Sequence, residues 1–240
     1  MSELRDLIDQ ASRLVAFTGA GISAESGIPT YRGQEGLWQK YDPAKYADIT
    51  YFRKNPAYYW NFFREVRYPM LKQAQPNQAH LALARLEQMG KLRAIITQNI
   101  DGLHQQAGSR KVVELHGNSR RFFCLRCGER EAMEQVYVRL SEEIQPACIS
   151  CGGQLRPEVV FFGEALSASV MVEAETLTRE SDLFVVVGSS LVVQPAAQFP
   201  VQAKQNGSRL VIVNKDPTPL DALADMVYHR QASEVFGTAV

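Results

Sequence analysis

Leu4, Leu7, Ile8 and Ala11 recur three and four residues apart, so the chain opens with a short amphipathic helix. Leu14-Val15-Ala16-Phe17-Thr18 follows as an unbroken apolar run and reads as a buried strand. Three later runs, over residues 92–97, 182–188 and 209–214, look alike: each is rich in β-branched residues and ends in small or polar ones. Helical patterns over residues 78–89, 167–179 and 196–205 separate them. Strands alternating with helices predict an α/β fold, a Rossmann-like doubly wound parallel sheet. Such sheets bind ligands beyond the carboxyl ends of their strands. Those ends hold residues 19–23, 98–101, 188–190 and 214–216, so four polar clusters should meet on one rim.

Two segments break the rhythm. Residues 31–76 are rich in aromatics, glycine and proline, and predict a lid followed by helices around residues 57–74. Residues 119–157 contain all four cysteines. There is no internal repeat, low-complexity tract or flexible linker. Both segments are therefore expected as insertions: a Rossmann-like domain over residues 1–30, 77–118 and 158–240, a lid and helical module over 31–76, and a metal-binding module over 119–157.

The 240 residues carry 26 basic and 26 acidic side chains, for a formal net charge of zero. Proteins that grip nucleic acid through phosphates usually show a basic excess, so no direct nucleic-acid partner is expected. No apolar stretch approaches the roughly 20 residues that span a bilayer, and the polar N-terminus lacks a signal-peptide core. A cytoplasmic protein with no membrane partner is expected, and in that reducing setting a disulfide framework is disfavoured.

Cys124-x-x-Cys127 and Cys148-x-x-Cys151 are two CxxC pairs separated by 20 residues. Two residues between thiolates let a tight turn aim both sulfurs at one ion, and two such turns complete a tetrahedron. Disulfides or four unrelated core thiols are the alternatives, but every cysteine falls in a pair. A closed, structural zinc site is expected, with no open coordination position.

Gly19-Ala20-Gly21-Ile22-Ser23-Ala24 fits a dinucleotide-type glycine turn after a strand. The usual sequel, a helix, a second strand and an acid for the ribose, is replaced by Gly27-Ile28-Pro29-Thr30-Tyr31-Arg32-Gly33, which breaks any regular βαβ unit. A dinucleotide is expected, but not held as in a hydride-transfer enzyme. Thr97-Gln98-Asn99-Ile100-Asp101 and Leu115-His116-Gly117-Asn118 each follow an apolar run, and His116 beside glycine suits proton transfer near neutral pH. His80, His104 and His229 are given structural roles.

Together these motifs resemble the sirtuin family. Gly19-Ala20-Gly21-Ile22-Ser23-x-x-Ser26-Gly27-Ile28-Pro29-x-Tyr31-Arg32-Gly33 carries the resemblance, with Thr97-Gln98-Asn99-Ile100-Asp101-x-Leu103-His104, Leu115-His116-Gly117 and the paired CxxC. Phe161-Phe162-Gly163-Glu164 and Gly188-Ser189-Ser190-Leu191-Val192-Val193 complete it in the family's order. Tyr31 departs from the family's usual Phe, and its hydroxyl needs a polar partner or water.

The resemblance implies NAD⁺-dependent protein-lysine deacetylation, giving lysine, nicotinamide and O-acetyl-ADP-ribose. It implies that NAD⁺ lies across the switch point near Ala20, Gly21, Ala24, Gln98, Gly188, Ser189, Ser190, Asn214, Lys215 and Ala232. Tyr31 also belongs to this cofactor set, and Arg32 lies near the phosphates. Ile100 and Asp101 would hold the carboxamide, with Asn99 near the nicotinamide ribose in a catalytic role. His116 would be the general base on a ribose hydroxyl. Acyl-lysine would enter near His116, Val160 and Phe161. Its backbone would pair, as an added strand, between Gly163-Glu164 and Leu191-Val192-Val193.

Family members that prefer succinyl- or malonyl-lysine carry a Tyr-x-x-Arg pair after the lid. Phe63 and Val66 occupy those positions, and Arg64 and Arg67 are expected to face elsewhere on an α-helix. Uncharged acyl groups are therefore expected. ADP-ribosyl transfer to protein, an NAD-linked oxidoreductase with structural zinc, and a zinc-ribbon adaptor without catalysis are the alternative readings.

Overall fold

The computed structural model describes residues 2–32, 36–140 and 144–239; the motif position Gly33 lies outside them. Strands β1 (Leu14–Thr18), β2 (Leu92–Thr97), β3 (Val112–Glu114), β7 (Leu183–Val187), β8 (Arg209–Val213) and β9 (Met226–Tyr228) form one sheet in the order β3-β2-β1-β7-β8-β9. Every neighbouring pair is parallel. The order reverses between β1 and β7, which makes their carboxyl ends a switch point.

Side chains alternate faces along each strand. Leu14, Ala16, Ile95, Val185 and Val211 point one way and pack against the helices Ser2–Gln10, Gln78–Gln88 and Ala232–Ala239. Val15, Phe17, Ile96, Phe184 and Ile212 point the other way, against Ala168–Glu180 and Gln198–Gln205. Burial on both faces explains why these strands are continuously apolar. Each fully buried Phe or Ile contributes roughly 1.5–3 kcal/mol through apolar area removed from water.

The register puts every strand end on one level. Thr18 pairs with both Thr97 and Val187, Thr97 with Glu114, and Val187 with Val213. The next residues, Gly19, Gln98, Leu115, Gly188 and Asn214, therefore emerge together. That is the expected rim.

A second, antiparallel sheet runs β5-β4-β6, with β4 at Gly117–Cys124, β5 at Arg130–Ala132 and β6 at Leu155–Val159. Gly117 has φ +75°, and a Cβ there would lie 2.0 Å from the Glu158 carbonyl oxygen, so only glycine lets the chain leave the rim this way. The two irregular segments share one core: Trp60, Phe63, Tyr68 and Leu71 pack with Phe122, Met133, Val136 and Leu155. Trp60 stacks on Phe122 at 5.3 Å between ring centroids. A metal knuckle alone has too few apolar groups to bury, so the helices complete it.

The helices around residues 57–74 are not one α-helix. Pro56–Phe62 and Tyr68–Gln73 are α-helical, and Phe63–Arg67 between them is a π-turn. Phe63 and Arg67, four apart, are both buried, as positions i and i+4 share one face. The expectation that Arg67 faces elsewhere is wrong: it shares the buried face with Phe63.

Candidate active site

A cavity of about 1730 Å³ lies between the rim and the smaller lobe. Of the residues singled out from sequence, Ala20, Gly21, Ala24, Tyr31, Arg32, Gln98, Asn99, Ile100, His116, Val160, Phe161, Gly163 and Glu164 line it. So do Gly188, Ser189, Ser190, Val193, Asn214, Lys215 and Ala232. Asp101, Leu191 and Val192 do not: Asp101 and Leu191 are buried behind the wall, and Val192 is exposed outside.

The glycine turn is a 3₁₀ segment, Ala20–Ser26, ended by Gly27 at φ +82°. Its Gly21 amide donates to the Gly188 carbonyl at 2.7 Å. A Cβ on Gly188, whose φ is +64°, would lie 2.1 Å from the Ile22 nitrogen. Two loops thus cross backbone to backbone at the switch point, leaving small residues around the crevice. Gln98 Nε2 donates to Ser189 Oγ at 2.8 Å and ties the β2 end to the β7 end.

Behind the wall, one hydroxyl organises two side chains. Ser23 Oγ donates to Asp101 Oδ2 at 2.8 Å and accepts from Asn99 Nδ2 at 3.1 Å. His80 Nδ1 accepts the Asn77 amide, so its Nε2 carries the proton that points to Ser23 Oγ, 3.4 Å away. The Leu103 amide donates to Asp101 Oδ1 at 2.9 Å. Burial pushes the Asp101 carboxyl up, while the Leu103 and Ser23 hydrogen bonds favour its ionised form. A parallel relay holds the strand end: Thr18 donates to Thr97 Oγ1, which accepts the Asn99 amide, so His104 Nε2 must donate to Thr18. His80 and His104 therefore do more than fill space. Ser23 stands in the glycine motif, but nothing in sequence links either histidine to the strand end.

His116 projects from the loop after β3. Its Nδ1 lies 2.9 Å from the Gln98 carbonyl oxygen, an acceptor only, so Nδ1 carries the proton and Nε2 keeps a lone pair. Burial lowers its pKa, and the Gln98 contact partly opposes this. The ring is a neutral base held in one tautomer.

The loop after β6 is fixed by an ion pair. Arg156 grips Glu164 with two bonds of 2.7 Å, and Glu164 Oε2 accepts the Phe161 amide at 2.9 Å. That contact keeps the Glu164 carboxyl ionised, below its usual range, against the cost of burial. Glu164 therefore shapes the channel with its side chain and offers only backbone to a peptide. Arg156 was not apparent from sequence. Tyr31 finds the polar partner its hydroxyl requires in Arg67, whose Nη1 donates at 3.0 Å. Arg67 and Tyr59 also line the cavity.

The four cysteines converge as the spacing requires, with all sulfurs within 4.8 Å of one another. Sγ separations of 3.5 Å (Cys124–Cys151) and 3.7 Å (Cys127–Cys148) match the edge of about 3.8 Å expected for a tetrahedron with Zn–S bonds near 2.3 Å. The Arg126 and Gly153 amides point at Cys124 and Cys151 sulfur, as thiolates require. A Cβ on Gly153 would sit 2.8 Å from Cys124 Sγ, so the knuckle closes only around glycine. The residues fit a structural zinc held by four thiolates.

A glycine-lined crevice at a switch point, faced by a neutral imidazole and accompanied by a separate thiolate knuckle, marks a class: Rossmann-like proteins with a dinucleotide site and a structural metal. Comparison narrows the class. The Sir2 family model matches residues 19–195. An NAD-dependent protein deacetylase of Sulfurisphaera tokodaii is 48% identical over 95% of this chain and 90% of its own. One from Thermotoga maritima is 44% identical over 98% and 94%. A solved Sir2 structure with deacetylated p53 peptide and 3′-O-acetyl ADP-ribose superposes with TM-score 0.93 at 43% identity, covering 99% of this chain and 96% of that one. Another, of Sir2Tm bound to a propionylated peptide, gives 0.90 at 41%, covering 99% and 95%. The chain belongs to the Sir2 family, the sirtuins.

Proposed function

We propose that this protein is an NAD⁺-dependent protein-lysine deacetylase, converting acetyl-lysine, NAD⁺ and water to lysine, nicotinamide and O-acetyl-ADP-ribose. The observation that carries it is that one cavity contains both the glycine crevice and the unprotonated face of His116. The Gly21–Gly188 crossing leaves room for a pyrophosphate against backbone, with Ser189, Ser190, Asn214, Lys215 and Ala232 toward the adenosine side. Arg32, exposed beside the cavity, meets phosphate charge. Ile100 walls the nicotinamide pocket, and Asp101, aligned by Ser23, accepts from the carboxamide. Asn99, held through both amide groups, orients the nicotinamide ribose.

Acyl-lysine enters along Val160 and Phe161 toward His116. Fixing its amide oxygen against the ribose carbon supplies proximity in place of a strong nucleophile. His116 Nε2 then takes a proton from a ribose hydroxyl, and the Gln98 carbonyl steadies the resulting imidazolium through Nδ1. Peptide backbone pairs between Gly163-Glu164 and Leu191-Val192-Val193, reading main chain rather than sequence. The zinc, when bound, braces the smaller lobe and touches no substrate.

Among the described residues no helix is long and apolar enough to cross a membrane; a cytoplasmic location suits four cysteines kept reduced as ligands. The test is mass spectrometry of products from acetyl-lysine peptide and NAD⁺, beside a His116→Ala control. Nicotinamide and O-acetyl-ADP-ribose are expected from the native enzyme. The variant should fold, keep zinc and lose turnover; absence of nicotinamide with the native, zinc-loaded protein sinks the reading.

A further inference from the structure

Arg120, near the start of β4, is half-buried, and its guanidinium bonds carbonyl oxygens rather than a carboxylate. Nε donates to the Asp101 carbonyl at 2.6 Å, and Nη2 donates to the Leu71 carbonyl at 2.8 Å. Leu71 lies in the last turn of Tyr68–Gln73, where helical carbonyls run out of amide partners. Asp101 sits in the loop between β2 and the short helix Leu103–Gln106. With its amide turned to face the guanidinium, Gln106 of that helix accepts from both Nη atoms at 3.1 Å. The preceding residue joins the grip: the Ser119 amide donates to the Ile100 carbonyl at 2.8 Å. Successive residues of β4 thus hold successive carbonyls of the loop. The Arg120 side chain lies over Gly102, where a Cβ would come within 3.0 Å of its Cδ. Arg121, next along the strand, shows the ordinary alternative, pairing with the Glu114 and Glu158 carboxylates. One guanidinium therefore joins three segments: the smaller sheet, the helices around residues 57–74, and the rim loop that carries Asp101.

We infer that Arg120 is a positioning residue for nicotinamide: by clamping the Asp101 main chain to the smaller lobe, it holds the Asp101 carboxylate where the leaving carboxamide is recognised. The inference rests on the deacetylase reading, with Asp101 as the carboxamide's acceptor. Arg120 does not line the cavity, so it acts through Asp101. Ser23 and the Leu103 amide fix the carboxyl end of that residue, and Arg120 fixes its carbonyl end. Turning Asp101 away from the carboxamide would break one set or the other. The Arg120 charge also faces the carboxylate. Arg120 favours its ionised form and Glu114 opposes it; Arg67 also senses the Asp101 charge, and His80, reached through Ser23, is neutral. An ionised carboxylate is an acceptor only, suited to the carboxamide N–H, whereas a protonated one gives up part of that capacity.

The test measures product inhibition by nicotinamide, together with the KM of an acetyl-lysine peptide, in the zinc-loaded enzyme. In Arg120→Met the nicotinamide inhibition constant should rise about tenfold, the worth of a charge-assisted hydrogen bond to the loop, while the peptide KM stays within about twofold. Inhibition of that variant should weaken further as pH falls from about 8 to about 6, because Asp101 loses a cation that favours its ionised form. Arg120→Lys keeps the charge without the planar fork that bridges two carbonyls; its inhibition constant should rise about threefold, with the native pH dependence. Asp101→Asn calibrates the site and should weaken inhibition in its own right. Native inhibition in Asp101→Asn fails the placement of Asp101, and the inference with it. Weak inhibition in Asp101→Asn beside native inhibition in Arg120→Met overturns the inference alone. A peptide KM that rises in parallel assigns Arg120 to general packing and overturns it too. Should Arg120→Met lose its native circular dichroism, Arg120→Lys decides, and native inhibition there overturns the inference. A native enzyme that releases no nicotinamide fails the deacetylase reading, and the inference falls with it.

Discussion

His116 holds its proton on the nitrogen facing the Gln98 carbonyl, and burial keeps its pKa below the ordinary 6.5. The base therefore stays available as pH falls through that value. The acid limb of kcat/KM should lie below pH 6.5, and a limb at or above 7 contradicts the assignment. Ser23 carries no chemistry but joins Asn99, Asp101 and His80 through one oxygen. Ser23→Ala should leave Asp101 buried with one described donor, the Leu103 amide, and lower kcat/KM about 10–100-fold, the worth of a hydrogen bond to a charged group. Steady-state kinetics with unchanged circular dichroism checks this. The sequence exposes His116, Asn99 and Asp101 because each follows an apolar run in a quoted motif. It leaves His80 silent, since a helical histidine reveals its partner only once Ser23 is seen 57 residues away.

At the scale of elements, the crossing of two loops sets the crevice. Gly188 adopts φ +64° and approaches the Ile22 nitrogen too closely for any side chain. Gly188→Ala should destabilise the fold by about 3 kcal/mol or more, combining left-handed strain with a backbone clash. A thermal melt of the variant measures it, and a native Tm removes the crossing from the account. The strand runs were legible because burial on both faces leaves a continuous apolar record, and β1 and β2 fall on the expected residues. The π-turn was not legible. Phe63 and Val66 satisfy α-helical spacing on paper, and the wider turn follows from packing Phe63 and Tyr68 against Phe122 and Tyr137 in the shared core.

Across the whole molecule, two lobes meet at one cavity, and the smaller carries the four-cysteine site beside its core. Chelation of the zinc-loaded protein should loosen the lobe where Trp60 stacks on Phe122, shift tryptophan emission to the red and abolish turnover, while much helical signal from the larger domain survives. Loss of all signal in one step would instead make the lobes a single cooperative unit. Two buried imidazoles and one half-buried one also shape the pH dependence of stability: His80 is pushed down to about 4, and His104 and the half-buried His116 lie below 6.5, all chiefly through desolvation. The unfolded chain takes up protons near 6.5 and the folded one does not. Stability is therefore full above that pH and falls as pH drops through 6.5 toward 4, by about 3 kcal/mol for His80 alone. Denaturant melts at pH 7.5 and 5 should show the decline. The sequence by itself determined the parallel sheet, the thiolate knuckle and the polar rim, because each rests on local spacing: apolar runs, CxxC turns, and glycines placed where strands end. Only the tertiary structure decided which buried groups find partners. It merged two distant insertions into one core, folded the turn after β6 so that Arg156 meets Glu164, and set Arg67 in the cavity wall, since which buried groups meet depends on packing and loop geometry that no local pattern encodes.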